Sequence, residues 1–369
     1  MSYLLIAVFV LAVIMGHVII PKILFIAFRK RLFDSVDTRK IHIGIVPRLG
    51  GLSFVPTQCC LMFLSFFIIF KFQLYIPHLG FLTLLLQFLL LVCGLVLLFI
   101  VGFADDLIGV DYKPKFIVQL IAALCFPFSD LWINNLYGFL GVNQLPEWIG
   151  MPLTVLVVVY IINSVNLIDG LDGLCSGIIL LACLTLGGLF AYYAIWLHAF
   201  FAFITAGVLL SFFYYNVFGR SKGRHRIFMG DTGSLTLGYS VAFLVISYAM
   251  YNPDIKPYSE NTIVIAFIPL AIPMLDVLRV LLIRLRAHKQ LFSPDKNHLH
   301  HRLLRLGFTY RFTMIFMLLM AVFFSFLNIV LLKQININIL VLVDFLVWGL
   351  FQMSFNLIER KQVNNKENK

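Results

Sequence analysis

The sequence predicts an all-α, polytopic integral membrane protein of about eleven transmembrane helices, ten at the lower count, and three observations support this. Of the 369 residues, 61% are hydrophobic and only 12% charged. The mean hydropathy of +0.98 lies far outside the range of soluble globular chains. The apolar residues also come in runs of about 20, the length a helix needs to cross roughly 30 Å of hydrocarbon. These runs are too long and too evenly apolar for barrel strands, which leaves helices to satisfy the backbone in lipid.

The expected spans cover residues 3–24, 52–70, 81–102, 116–133, 149–165, 174–191, 194–215, 235–251, 262–283, 312–332 and 337–357. The stretch 174–215 is nearly unbroken and about twice a membrane thickness long at helical rise, so it reads as two spans. Gly187, Gly188 and the segment from Tyr192 to His198 offer the turn. The distribution of basic residues tests that division. Of 28 Lys and Arg, only Lys71, Lys256 and Lys333 fall in loops placed outside, whereas merging the two spans would export Arg220, Lys222, Arg224 and Arg226. Basic loops stay cytoplasmic, so the N-terminus is expected outside and the C-terminus inside. The first span has no basic leader and no small-residue cleavage site, and is expected to be a retained anchor. Residues 1–358 then form one helical domain, and the polar stretch 359–369 (ERKQVNNKENK) is expected to be a flexible tail.

The net charge of +11 would suit nucleic acid in a soluble protein. Here it is confined to loops, where orientation against anionic lipid explains it, and no nucleic-acid partner is expected. The six cysteines lie in or beside apolar runs without a CxxC pair, which suits small packing residues.

The polar breaks between spans carry the chemistry. The first, from Asp34 to Gly51, mixes Arg39, Lys40, His42 and Arg48 with Pro47 and a Gly50-Gly51 pair. It reads either as an anion-presenting bend or as a topology signal alone. The second places the adjacent carboxylates Asp105 and Asp106 at a span end beside Lys113 and Lys115. Two neighbouring carboxylates repel unless a cation or metal is near, and this pair suggests a phosphate and Mg2+ site. The third, NSVNLIDGLDGLCSG from Asn163 to Gly177, repeats polar groups every third position at Asn163, Asn166, Asp169 and Asp172. On a regular helix this spacing drifts, so convergence needs the local unwinding that Gly170 and Gly173 permit.

The fourth break sets Asp231 between Gly230 and Gly233 ahead of a span. It reads as a cap and turn, or as a place where backbone N–H groups approach an anion. The fifth, from Arg284 to Phe308, carries His298, His300 and His301 among Arg and Lys. His298 and His301 are spaced to share a helical face, but a two-histidine zinc site is incomplete, and anion recognition fits the surroundings better.

The motifs VPRLGG, GFADDLIG, NSVNLIDGLDGL, FMGDTGSLTLG and SPDKNHLHHRL, in this order, resemble those of the polyprenyl-phosphate N-acetylhexosamine-1-phosphate transferases, glycosyltransferase family 4. The likeness runs from about Gly16 to Phe308, and the last two spans carry no motif. The chain looks less like the peptidoglycan translocase, whose first loop reads TPTMGG, than like the bacterial undecaprenyl-phosphate enzymes that begin O-antigen, common-antigen or teichoic acid synthesis. HLHH at His298 to His301 is similar to the motif of the subgroup using UDP-GlcNAc.

The resemblance implies a multi-pass protein of the inner (plasma) membrane with a cytoplasmic site. It implies transfer of N-acetylhexosamine-1-phosphate, GlcNAc-1-phosphate first among them, from a UDP-sugar to undecaprenyl phosphate with release of UMP. It implies Mg2+, with Mn2+ as a substitute, and leaves a homodimer open. Asp231 and Asn166 look like the metal ligands. Asp169, Gly170 and Asp172 match the uridine pocket, Phe228 the aromatic on uracil and Asn216 its neighbour, although the insert between Asn216 and Phe228 is longer and more basic than in the translocase. Lys115 resembles the phosphate-binding lysine and Lys40 a second substrate contact, and the three histidines line up with the sugar-nucleotide motif.

A lipid phosphate is already mostly dianionic at pH 7, so a strong base is not required. Asp105 is assigned orientation or modest base assistance, Asp106 the metal or its waters, and a phospho-aspartate route is the rival. A transporter or flippase is the alternative of another class. It would place polar groups near midplane, where only Asp344 stands alone, since Asp276 and Arg279 read as a helical ion pair.

Overall fold

The computed structural model describes residues 1–32, 46–75, 80–219, 225–253, 256–288, 297–332 and 334–367. The described helices are α1 (Ser2–Lys30), α2 (Phe54–Lys71), α3 (Phe81–Ile108), α4 (Tyr112–Phe128), α5 (Glu147–Ile168), α6 (Leu174–Tyr192) and α7 (Trp196–Phe218). They continue with α8 (Gly230–Ala249), α9 (Thr262–Phe267), α10 (Ala271–Arg286), α11 (Leu299–Arg305), α12 (Tyr310–Leu331) and α13 (Ile337–Glu367). Ten helical stretches, with α9 and α10 counted as one, are long and apolar enough to cross a membrane. The chain is an all-α, multi-pass membrane protein.

The eleventh expected span, 116–133, corresponds to α4, which has 17 residues. At one end of α4, Lys115 Nζ lies 3.0 Å from Asp231 Oδ2 at the start of α8. Just past its other end, Asn134 Nδ2 donates to Tyr251 O beyond the end of α8 (2.8 Å). The chain therefore runs the length of α8 along α4. The division of 174–215 also appears as expected, with α6 and α7 meeting at a turn over 193–195.

Helix α8 is the most buried of the ten spans and also the least apolar. It packs against α3 and α5 on its sides and against α2, α6 and α9. In lipid no hydrophobic force drives helices together, so small side chains that allow close approach and internal hydrogen bonds do the joining. The α8 residues Thr232, Ser234, Thr236 and Ser240 are all buried. Thr236 Oγ1 donates to Thr232 O (2.6 Å) and Ser240 Oγ to Thr236 O (2.8 Å), which satisfies them inside the helix. Gln58 Nε2 on α2 then reaches Thr205 Oγ1 on α7 (2.9 Å) and Ser240 Oγ (3.0 Å), tying three helices together.

Two stretches show detail that the apolar pattern does not carry. The span expected over 262–283 is broken into α9 and α10 by a 3-10 turn at Ile268–Leu270. Pro269 and Pro273 cannot donate the backbone bonds that a continuous helix there requires. Helix α13 runs past Glu359, where the polar tail begins, to Glu367, with Glu359 paired to Arg302 (2.9 Å). The six cysteines are all unpaired.

Candidate active site

The site is assembled at the start of α8, five residues earlier than the apolar pattern placed that span. Gly230 has φ +74, a conformation glycine adopts without penalty. A Cβ there would lie 2.2 Å from Arg48 O and 2.5 Å from Asp106 Oδ2. This close packing turns the chain into the helix and places Asp231 in its first turn. The segment that carries Phe228 is held by the VPRLGG bend. Phe228 N donates to Pro47 O, Gly50 N to Phe228 O and Gly51 N to Met229 O, each at 2.9 Å.

Asp106 accepts from Asp231 N (2.8 Å), Thr232 N (3.0 Å) and Thr232 Oγ1 (2.6 Å). It caps α8 from the end of α3. Both its oxygens accept from the helix start, which ties the end of α3 to the backbone that carries Asp231. Bonds of this kind to a charged group contribute on the order of 1.5–3 kcal/mol each, and the positive end of the helix dipole adds to them. Asp105, next in chain, points elsewhere. Its Oδ1 accepts from Val110 N (2.6 Å) and its Oδ2 lies 3.2 Å from Lys115 Nζ. Lys115 thus bridges Asp105 and Asp231, and this ammonium between two carboxylates keeps the acidic cluster together.

The third break unwinds as its glycines allow. Helix α5 ends at Ile168, a turn follows, and α6 begins after Gly173 at φ +78. Asn166, Asp169, Gly170 and Asp172 converge with Asn216, Phe228, Asp231 and His301 around a cavity of about 280 Å³. Asn163, the first polar residue of that repeat, does not join them. Its amide donates to Gln119 Oε1 on α4 (2.6 Å). Asn166 Nδ2 donates to Ser234 Oγ (2.8 Å), which sets which way its amide faces. Asn216 is a scaffold residue, accepting from Gly173 N (2.6 Å) and donating to Asp172 Oδ1 (3.2 Å) and Ile227 O (2.9 Å).

Electrostatics differ across the cavity. Burial, then the charges of Asp231 and Asp106, push the Asp169 carboxyl well above its usual range, and Arg48 pulls it back in part. Arg226 pairs with Asp172 and lies over the Phe228 ring, 5.5 Å from its centroid. The sequence treated Arg226 only as loop charge.

The three histidines separate. His298 is turned away from the cavity, with Nδ1 2.9 Å from Asp276 Oδ2 on α10, so direct substrate contact by His298 is not what the structure shows. His300 is 1% exposed and packs on the Asp169–Asp172 turn, where a Cβ on Gly170 would sit 2.6 Å from its Nε2. Burial, then His301, lowers its pKa to about 3, which keeps the ring neutral at physiological pH. His301, its ring 4.2 Å from that of His300, reaches the cavity wall. Lys40 lies outside the described residues. The cavity also uses Arg48, Met229 and Tyr310, which the site assignment missed. Arg48 sits inside a recognised motif, whereas Tyr310, at the head of α12, carries no sequence signal.

Among the described residues no three His, Cys, Asp or Glu side chains gather as a ready-made metal cluster. The donors at this point are the Asp231 carboxylate, paired with Lys115 through Oδ2, and the Asn166 amide oxygen. That suits Mg2+, which binds through one or two carboxylates and completes its shell with water and substrate phosphate.

The sequence pattern of glycosyl transferase family 4 matches residues 88–249. A Bacillus subtilis (strain 168) protein named "Probable undecaprenyl-phosphate N-acetylglucosaminyl 1-phosphate transferase" is 30% identical over 328 residues, 88% of this chain and 84% of its own. Proteins of Salmonella typhi and Escherichia coli (strain K12), each named undecaprenyl-phosphate alpha-N-acetylglucosaminyl 1-phosphate transferase, are 31% identical over 293 residues. These cover 78% of this chain and 72% of theirs.

Proposed function

Because the chain belongs to glycosyl transferase family 4, we propose that it transfers GlcNAc-1-phosphate from UDP-GlcNAc to undecaprenyl phosphate, releasing UMP. The observation that carries this reading is the meeting of Lys115, Asp231 and Asp105 with Asn166, Asp169 and Asp172 beside one cavity. Two anions, a lipid phosphate and a diphosphate, must come together, and this set can neutralise and orient them. The cavity wall of Phe228 and Asp172 suits a flat, hydrogen-bonding base. His301, with His300 behind it, suits the sugar end as a hydrogen-bonding surface.

Asp231 and Asn166 would hold Mg2+, which when bound neutralises diphosphate oxygens and favours departure of UMP. Lys115 holds the transferring phosphoryl group by charge. The lipid phosphate oxygen forms a bond to the β-phosphorus while the bond from that phosphorus to the bridging oxygen breaks, and UMP leaves with that oxygen. A dianionic phosphate needs no strong base, so Asp105 orients Lys115 and the attacking group. Asp106 acts through α8, holding Asp231 in place.

The basic loops favour a site facing the cytosol, with the N-terminus outside and the C-terminus inside. A reaction on undecaprenyl phosphate there would open a cell-surface polysaccharide pathway at the plasma membrane. The test uses purified full-length protein and a panel of UDP-sugars. UMP should form from UDP-GlcNAc only with undecaprenyl phosphate and Mg2+ both present. No UMP from any donor would refute the reading, and UMP formed without the lipid would replace the single step by a covalent route.

A further inference from the structure

Helix α11 has seven residues, too few to hold its shape alone, yet it carries His301, which reaches the cavity, and His300 behind it. Two sets of contacts, with partners outside the recognised motifs, hold it. The first is Asp276, a carboxylate 3% exposed within α10. Its Oδ2 lies 2.9 Å from His298 Nδ1, both its oxygens lie 3.1 Å from Leu299 N, and its Oδ1 accepts from Arg279 Nη2 (2.8 Å). One side chain therefore fixes the residue preceding α11 and the first amide of that helix, while Arg279 also donates to Asn297 O just before it. This is more than the ion pair within one helix that its spacing suggested.

The second set lies one turn on, at Arg302, which lines the same groove as Arg279. Arg302 is 6% exposed. Its Nε and Nη2 meet Glu359 Oε1 (3.2 Å) and Oε2 (2.9 Å), Nη1 donates to Gln352 Oε1 (2.7 Å), and Nη2 to Asn356 Oδ1 (2.6 Å). Gln352, Asn356 and Glu359 are four and three residues apart, on one face of α13. A buried ion pair alone says little about stability, but a planar guanidinium with every one of its nitrogens engaged fixes position. The guanidinium belongs to the residue next to His301. Helix α13 carries no motif, and this contact gives it a connection to the site.

We propose that Asp276 and the Gln352, Asn356 and Glu359 face of α13 are positioning residues, bracing α11 so that His300 and His301 hold the donor end of the cavity. The link to the donor rests on the function proposed above, but the brace itself does not. The test uses full-length protein in lipid nanodiscs with Asp276→Asn, Glu359→Arg, and Glu359→Arg combined with Arg302→Glu.

Without substrate, deuterium uptake by peptides covering Leu299–Arg305 should quicken about tenfold in the two single variants. Unchanged uptake overturns the brace whatever the kinetics show. In turnover, Glu359→Arg should raise KM for UDP-GlcNAc about tenfold and leave KM for undecaprenyl phosphate within about twofold, and the charge swap should recover most of the loss. Faster exchange with an unchanged donor KM overturns the link to the donor. A joint fall in kcat and worsening of both KM values with a lower melting temperature, unrescued by the swap, reduces the contacts to a structural role. Absence of UMP formation by the unaltered protein would sink the proposed function instead, and the exchange measurement would still decide the brace.

Discussion

Two carboxylates meet at the start of α8 and divide the work there. Asp106 is consumed by the helix end, taking two amides and a hydroxyl, while Asp231 keeps its charge for Lys115 and the cavity. Asp231→Asn should therefore lower UMP formation by roughly 100- to 1,000-fold, with a melting temperature close to that of the unaltered protein. Asp106→Ala should lower both, since a cap is lost as well. Near-normal turnover by Asp231→Asn would show that the metal and diphosphate are held elsewhere. Asp231, Asn166, Asp169 and Asp172 were legible because their motifs fall in polar breaks. The hydrogen-bond partners of Asp106 and His298 were not, because each depends on which helix lies beside it. His298 needed α10 to be placed next to α11, and nothing in the spacing of the histidines says so.

Hydropathy reads helices well when the boundary is a change of polarity, and poorly when it is not. The break between α9 and α10 lies inside one apolar run, so only Pro269 and Pro273 mark it. The last turns of α13 are polar, so they resembled a solvated tail until Arg302 supplied the partner for Glu359. The loop between α8 and α9 offers a test at this scale. Lys256 is 5% exposed, donates to Tyr248 O and lies 3.8 Å from the centroid of the Tyr248 ring. Burial lowers its pKa to about 7 from an ordinary 10.5. Between those values the unfolded chain binds a proton that the folded chain lacks. Folding stability should then rise with pH across that window by roughly 1.4 kcal/mol per unit, with the full penalty present below about 7. The detergent-solubilised protein should melt higher at pH 9 than at pH 7. Lys256→Met should flatten that slope and melt higher than the unaltered protein at pH 6. A pH-independent melting temperature for the unaltered protein would contradict this account of the buried ammonium.

The bundle has one chemically active end, where the starts of α8, α11 and α12 meet the turn after α5. Its opposite end is closed by loops, with Asn134 and Tyr251 exchanging bonds of 2.8 and 2.7 Å. If the active end faces the cytosol, Glu260→Cys should react with a membrane-impermeant thiol reagent on intact cells, and His288→Cys only after permeabilisation. The reverse pattern would invert the orientation. The multi-pass, all-helical class was legible because lipid demands apolar length. The identity of the central helix was not, because a bilayer selects oily residues for the outside and lets polar ones hide within. The burial of α8 bears on how such a protein can diversify. A carboxylate set into the first turn of a helix packed against its neighbours cannot be re-aimed without disturbing the whole bundle. On the function proposed here, retuning toward a different sugar falls to substitutions on short α11, on its braces and on the Tyr310 side of the cavity, while the phosphate chemistry keeps its place.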